Sequence, residues 1–371
     1  MSVTGDSDEV RGYAPQPTDL TRDRGLDCLK GVAIVMVVLG HTVQIAAGPD
    51  FGHDLAFRII YSFHMPMFMF VAGMTMSFGL FPSSGDMPHH VVNYVVKRAG
   101  RLLLPFFAWG LIQFVRSGPT ESVSAWLTAL LIEPDNGLWF LLALFEISVV
   151  VVLSAWVARI ILDRREAVAD PIATTIALAG CLAVGATIFW LSRYVVPGIG
   201  LAAYYVKYVC LGILYKRLYP PGLPAWVGAA ALPVFAVLVP YWTWNGPPAV
   251  GWHPPFIDER IVTAVFDFIV ASSGTLVTLA VARLISRYAP GLVVIAIAYC
   301  GRRTLDIYAL HFYLISFFPP IVAPIAMSLI VSFVLRQVPL AAVVLFGDVK
   351  DRPLWWSAML GLRDKSARVR P

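Results

Sequence analysis

Charge is scarce in this sequence. Only 14% of its 371 residues are Asp, Glu, Lys or Arg, against about 25% in soluble domains. In their place 58% are hydrophobic, and the mean hydropathy is +0.73. A water-soluble fold of this size cannot hide so much apolar surface. That excludes a soluble enzyme, a disordered chain and a nucleic-acid binder. Cysteine is scarce as well. Cys28, Cys181, Cys210 and Cys300 lie in or beside apolar segments. They show neither metal-ligand spacing nor a disulfide framework, so no metal site is predicted. Internal repeats and low-complexity tracts are absent. No apolar core precedes Leu26, so the sequence reads as lacking a cleavable leader.

What remains is a succession of apolar runs. Ten are readable, at 26–46, 55–78, 99–116, 137–161, 171–191, 197–215, 222–242, 261–284, 304–318 and 320–336. Each approaches the ~20 residues that cross a hydrocarbon core. The expected fold is all-α: a polytopic transmembrane helical bundle of about ten spans. The ninth and tenth runs are short and meet at a turn at Pro319 and Pro320. Residues 286–303 and 337–347 read as interfacial helices, and 119–134 as a segment on the outer surface. Residues 1–23 read as a disordered cytoplasmic tail, 24–347 as the membrane domain and 348–371 as a basic cytoplasmic tail lying against anionic lipid. The net charge of +5 follows from the positive-inside rule rather than from a nucleic-acid partner. With both termini cytoplasmic, only Arg58, Arg116, Arg193, Lys207 and Arg260 fall outside the inner segments.

Ionisable groups inside a span are costly and are functional candidates by default. Here they are His41, His64, Glu146, Lys207, Asp267, Asp306 and His311. In RGLDCLKGVAIVMVVLGH, Lys30 and His41 stand eleven positions apart. That spacing is about three helical turns, so both share a face roughly 16 Å apart along the axis. A cation at the cytoplasmic entrance and an imidazole deeper in would suit a donor entering from inside. A snorkelling lysine and a packed histidine fit the spacing equally well.

In KRAGRLLLP, Arg98 and Arg101 share a face. Guanidinium forks suit phosphate, and a plain positive-inside anchor is the competing reading. In YSFHMPMFMFVAGM, His64 lies at a depth similar to His41, and Pro66 reads as ordinary packing, with a helix kink as the alternative. Trp139 opens the fourth span as an aromatic-belt or cavity residue, and Glu146 faces the interior or a cavity. His311 is five positions from Asp306, about 140° around the helix, and reads as a packed structural histidine. His53 and Asp54 are candidate partners for His41. The outer loop WTWNGPPAVGWHPPFIDER suits either a sugar ring or the membrane interface.

Taken together these segments resemble acyltransferase family 3, the integral-membrane O-acyltransferases that modify exported glycans and small molecules. The resemblance runs from about Arg22 to Phe346. It rests on the basic residue and histidine of the first span (Lys30, His41) and on the Arg-x-x-Arg pair (Arg98, Arg101). FHMPMFMFVAG, GLWFLLAL and IYALH add to it. FHMPMF is similar to the branch of fucose and polysaccharide O-acetylases. No hydrolase-like domain follows, so a stand-alone member is expected.

The resemblance implies an acyl-CoA co-substrate, usually acetyl-CoA, with no tightly bound cofactor. It also implies a glycan or small-molecule hydroxyl acceptor and a home in the cell membrane. It assigns the CoA phosphates to Arg98 and Arg101, with Lys30 beside them. His41 becomes the general base, and His64, Trp139 and Glu146 line the substrate side. The competing reading is a proton-coupled transporter using Glu146, Lys207, Asp267 and the histidines. The Lys30/His41 and Arg98/Arg101 combination discriminates, because an acyltransferase needs both and a transporter neither.

Overall fold

A computed structural model describes residues 23–80, 87–118, 122–132, 138–162, 171–195, 199–219, 222–244, 246–251, 256–317 and 322–348. The two tails proposed from the sequence and the Pro319–Pro320 turn lie outside these residues, apart from Asp23 and Asp348. Among the described residues there is no β-strand, and helices occupy all ten apolar runs. The fold is a helical membrane bundle. Five stretches are long and apolar enough to cross a bilayer by length and composition: Arg24–His53, Leu55–Gly79, Trp139–Leu162, Ile172–Ser192 and Glu259–Tyr288. The apolar residues Ile172, Ile176, Val184 and Ile188 recur along one face of the fourth and are 60% or more exposed. Such an unpartnered apolar stripe is what lipid covers.

The helix α1 (Arg24–Ala47) is started by Asp23, whose carboxylate accepts from the Leu26 amide at 3.0 Å. After it come α2 (Leu55–Tyr61) and α3 (His64–Met76), two pieces of the second apolar run. The run breaks at Ser62–Phe63, where Phe63 has φ −139 and ψ −16. Pro66 therefore sits in the first turn of α3, where an amide would have no helical partner anyway. The helix is broken ahead of the proline rather than kinked at it.

The remaining helices are α4 (Met87–Ser117), α5 (Val123–Ile132), α6 (Trp139–Leu162), α7 (Pro171–Ser192), α8 (Gly200–Leu218), α9 (Ala225–Leu238) and α10 (Glu259–Tyr288). Then follow α11 (Gly291–Arg302), α12 (Thr304–Leu314), α13 (Val322–Leu335) and α14 (Pro339–Phe346).

The helix α1 is the axis on which the site hangs. It packs against α3, α10, α11 and α12. Its closest seam is with α11. A Cβ added at Gly31 would fall 1.9 Å from the Ile297 carbonyl oxygen, and one at Gly301 would fall 1.8 Å from that of Asp27. Only glycine permits this approach. It draws the α11–α12 junction, with its arginines, beside the first turns of α1.

A second device lies on α4. Pro105 cannot donate the helical bond to the carbonyl of Arg101. The chain turns against that carbonyl at Gly347, φ 60, where a Cβ would lie 2.2 Å from the oxygen. Trp109 donates its indole N–H to Leu345 O at 2.9 Å, and Phe346 is buried. Thus α14, expected as an interfacial helix, is tied to α4 and walls the cavity described next.

Candidate functional site

A cavity of about 820 Å³ opens beside the first turns of α1, within the ~300–1,000 Å³ usual for ligand pockets. Lys30 of α1 lines it together with Lys97, Arg98 and Arg101 of α4. The structure therefore unites all three donor-side residues picked from the sequence. It adds Arg302 and Arg303 from the α11–α12 junction and Arg336 from the end of α13. Against these basic groups stand Asp306 and Asp348.

Arg336 is committed to the acids. It donates from Nε and Nη2 to the two oxygens of Asp306 at 2.8 and 2.7 Å, and from Nη1 to Asp348 at 2.6 Å. Asp306, 1% exposed, also has Arg303 at 3.6 Å. The guanidinium of Arg98 lies 5.2 Å over the Tyr94 ring, and that of Arg302 5.4 Å over Tyr299. Cations gathered this closely repel one another unless an anion neutralises them. Guanidinium groups suit phosphate oxygens. The cavity is thus a basic vestibule whose side chains suit an anion.

The far end of the cavity is aromatic. Phe68, Phe140 and Tyr308 line it there. The Phe140 ring meets Phe68 at 4.7 Å and Tyr308 at 5.5 Å. The imidazoles do not line the cavity, and ring contacts join them to it. Tyr308 is 5.9 Å from His311, and His311 is 5.3 Å from His41, ring centre to ring centre. His41 faces neighbouring helices rather than lipid: it also meets Phe312 at 4.4 Å and Tyr61 at 5.8 Å. His64 is 2% exposed, its ring 4.5 Å from Tyr61, and its Nδ1 lies 3.0 Å from Ile60 O at the α2–α3 break.

Hydrogen bonding fixes which nitrogen of His41 is available. The Tyr61 hydroxyl donates its one proton to Gln44 Oε1 at 2.5 Å. His41 Nδ1 stands 2.9 Å from the Tyr61 oxygen and 3.2 Å from Gln44 Oε1. Both neighbours can now only accept, so Nδ1 carries the ring proton and Nε2 keeps its lone pair. That is the tautomer a general base needs at Nε2.

Other sequence candidates sit apart. Trp139 stacks on Tyr205 at 5.2 Å with ring planes 25° apart, next to the cavity-lining Phe140. Glu146 is half-buried on α6. It lies two residues past the lining Leu144, hence about 200° around the helix from it. Lys207 places its ammonium 4.2 Å over Tyr204, whose hydroxyl donates to Asp267 Oδ2 at 3.4 Å, forming a separate polar cluster between α8 and α10. Asp54 is not a partner of His41, because its carboxylate caps α2 by accepting from the Phe57 amide at 2.8 Å; His53 is exposed. Among the described residues no group of three or more His, Cys, Asp or Glu is placed to hold a metal.

Sequence reasoning passed over Tyr61, Gln44, Arg302, Arg303 and Arg336, and read His311 as packing. The available signals were the tyrosine directly ahead of SFHMPMF and the paired arginines opening GRRTLDIYALH.

A helical membrane bundle with a cationic vestibule at one end of its first helix and a base-ready histidine towards the other has the parts of a group-transfer enzyme for a phosphate-bearing donor. Comparison with known proteins supplies the family. The chain belongs to acyltransferase family 3: residues 23–347 match the family model described as an acyltransferase domain. It is an integral membrane protein of the acyltransferase class. It is similar to the nodulation protein NolL of Mesorhizobium japonicum, 35% identical over 142 residues, 36% of each chain. It is also similar to the nodulation protein NolL of Sinorhizobium fredii, 28% identical over 204 residues, 53% of this chain and 49% of that protein. The chain thus spans between about a third and a half of the length of the curated relatives it matches. No solved structure matches it.

Proposed function

We propose that this protein transfers an acyl group, acetyl by default, from cytoplasmic acyl-CoA to a hydroxyl of a glycan or small-molecule acceptor. His41 is the general base. The observation that carries the reading is the shared wall. Lys30 lines the cationic cavity at one end of α1, and His41 stands on the same helix about 16 Å further along. The phosphates of CoA lie among Lys30, Arg98, Arg101 and Arg302, and the thioester arm extends past Phe140 and Tyr308 towards the imidazoles.

His41 Nε2 takes the proton of the acceptor hydroxyl as its oxygen attacks the thioester carbonyl carbon. The tetrahedral adduct collapses with cleavage of the carbon–sulfur bond. The departing thiolate regains the proton from His41, leaving an ester, free CoA and the neutral imidazole. His64 borders the acceptor side. The distribution of basic residues supports a cell-membrane protein with the cavity and both termini on the cytoplasmic side.

The test is transfer of label from radioactive acetyl-CoA by detergent-purified protein, with mass spectrometry of surface glycans and secreted metabolites from cells with and without it. An acetyl difference is expected, and it is lost in His41→Ala while the melting temperature holds. Undiminished transfer by that variant would reject His41 as the base.

A further inference from the structure

Folding leaves one imidazole nitrogen without a use. His311 is 0% exposed. Its Nδ1 stands 2.8 Å from Tyr308 O and 3.1 Å from Ile307 O. Carbonyls only accept, so the neutral ring carries its proton on Nδ1 and offers a lone pair at Nε2. That Nε2 is buried and has no hydrogen-bond partner. Buried polar atoms are ordinarily paired, and an orphan calls for an explanation, of which a bound partner is one.

The neighbour of this ring is His41, 5.3 Å away and tilted by 33°. Tyr61 and Gln44 hold His41 in the same tautomer. Two such rings present only lone pairs at Nε2, so neither satisfies the other. Phe312, which meets His41 at 4.4 Å and His311 at 4.1 Å, supplies no donor either. A single hydroxyl has one proton and satisfies one ring. A molecule with two adjacent donors satisfies both.

We propose that His311 is a specificity-determining residue for the acceptor. Its Nε2 accepts a hydrogen bond from a second donor, a hydroxyl or amide N–H, on the carbon next to the hydroxyl that His41 deprotonates. Vicinal diols and vicinal hydroxy-amides are thereby selected over isolated alcohols. No bond to His311 is made or broken. The inference rests on the reading of His41 as the base.

The test uses full-length protein in detergent and a panel of methyl hexopyranosides, each with its monodeoxy counterparts. Binding is measured by calorimetry without acyl-CoA, and then transfer is measured from acetyl-CoA. For a parent glycoside that binds, removal of the neighbouring hydroxyl weakens wild-type binding about tenfold, the worth of one hydrogen bond. His311→Asn and His311→Phe lower the parent to that same level, leave the deoxy compound unchanged and raise KM rather than lower kcat. Acetyl-CoA affinity stays as it was.

Equal weakening of parent and deoxy compound overturns the proposal, as does failure of every glycoside to bind, or a fall in kcat at constant KM. Should His311→Phe fail to fold, wild-type discrimination read together with His311→Asn decides the matter. His311-dependent binding without any transfer from acetyl-CoA upholds the role of His311 and removes the acyl-CoA reading instead.

Discussion

The two stations along α1 are built in opposite ways. The vestibule around Lys30 is charged, draws its basic groups from four separate parts of the chain, and is redundant in them. The cluster around His41 has no carboxylate or ammonium among its ring and hydrogen-bond contacts, and each of its members has a distinct task. Recognition by several cations degrades gradually as they are removed. Chemistry that depends on one proton being on one nitrogen fails abruptly. On the proposed function, the contrast separates binding from catalysis along a single helix.

The sharpest break of that contrast is His41→Ala. It should reduce acyl transfer about 10³-fold or more while acetyl-CoA still binds, measured by label transfer and calorimetry on one preparation. Next is Gln44→Leu. The Tyr61 proton then turns to His41 Nδ1, the ring proton moves to Nε2, and kcat should fall on the order of 10²-fold at constant acyl-CoA affinity. Parallel loss of both parameters would refute the tautomer argument.

Arg98→Ala, Arg101→Ala and Arg302→Ala should each weaken acyl-CoA binding about tenfold. Calorimetry at rising salt should show the wild-type affinity itself falling. An effect confined to Arg98 and Arg101, with Arg302 silent, would shrink the vestibule to its α4 wall. The mildest change is Tyr61→Phe. It leaves Gln44 Oε1 3.2 Å from Nδ1 to hold the tautomer, so a loss of only a few-fold in kcat is expected, about one neutral hydrogen bond.

Much of the first station was legible in the sequence. Helical spacing alone puts Lys30 and His41 on one face and pairs Arg98 with Arg101, because both statements concern a single helix. Apolar run lengths likewise located the helices. The break at Ser62–Phe63 escaped, since Pro66 drew attention to itself while sitting in a tolerated first turn. What stayed hidden was every relation between helices. Arg302 and Arg303 reach the vestibule because Gly31 and Gly301 allow α1 and α11 to touch, and no local pattern announces that pairing. His311 was judged by its angle to Asp306. Asp306 in fact turns to Arg336, whereas His311, more than a turn along α12, is defined by α1. Trp139 and Glu146 were assigned to the substrate side by residue type and family resemblance, neither of which says how a side chain faces.

The vestibule also has a timetable. Its floor comes from residues made early, Lys30 and then Arg98 and Arg101. Its last wall is Arg336, Phe346 and Asp348, which a ribosome adds only after α13 has been translated. A nascent chain halted between α12 and that wall holds the histidines but not the finished vestibule, so on the proposed function synthesis itself keeps a half-inserted protein from squandering thioester.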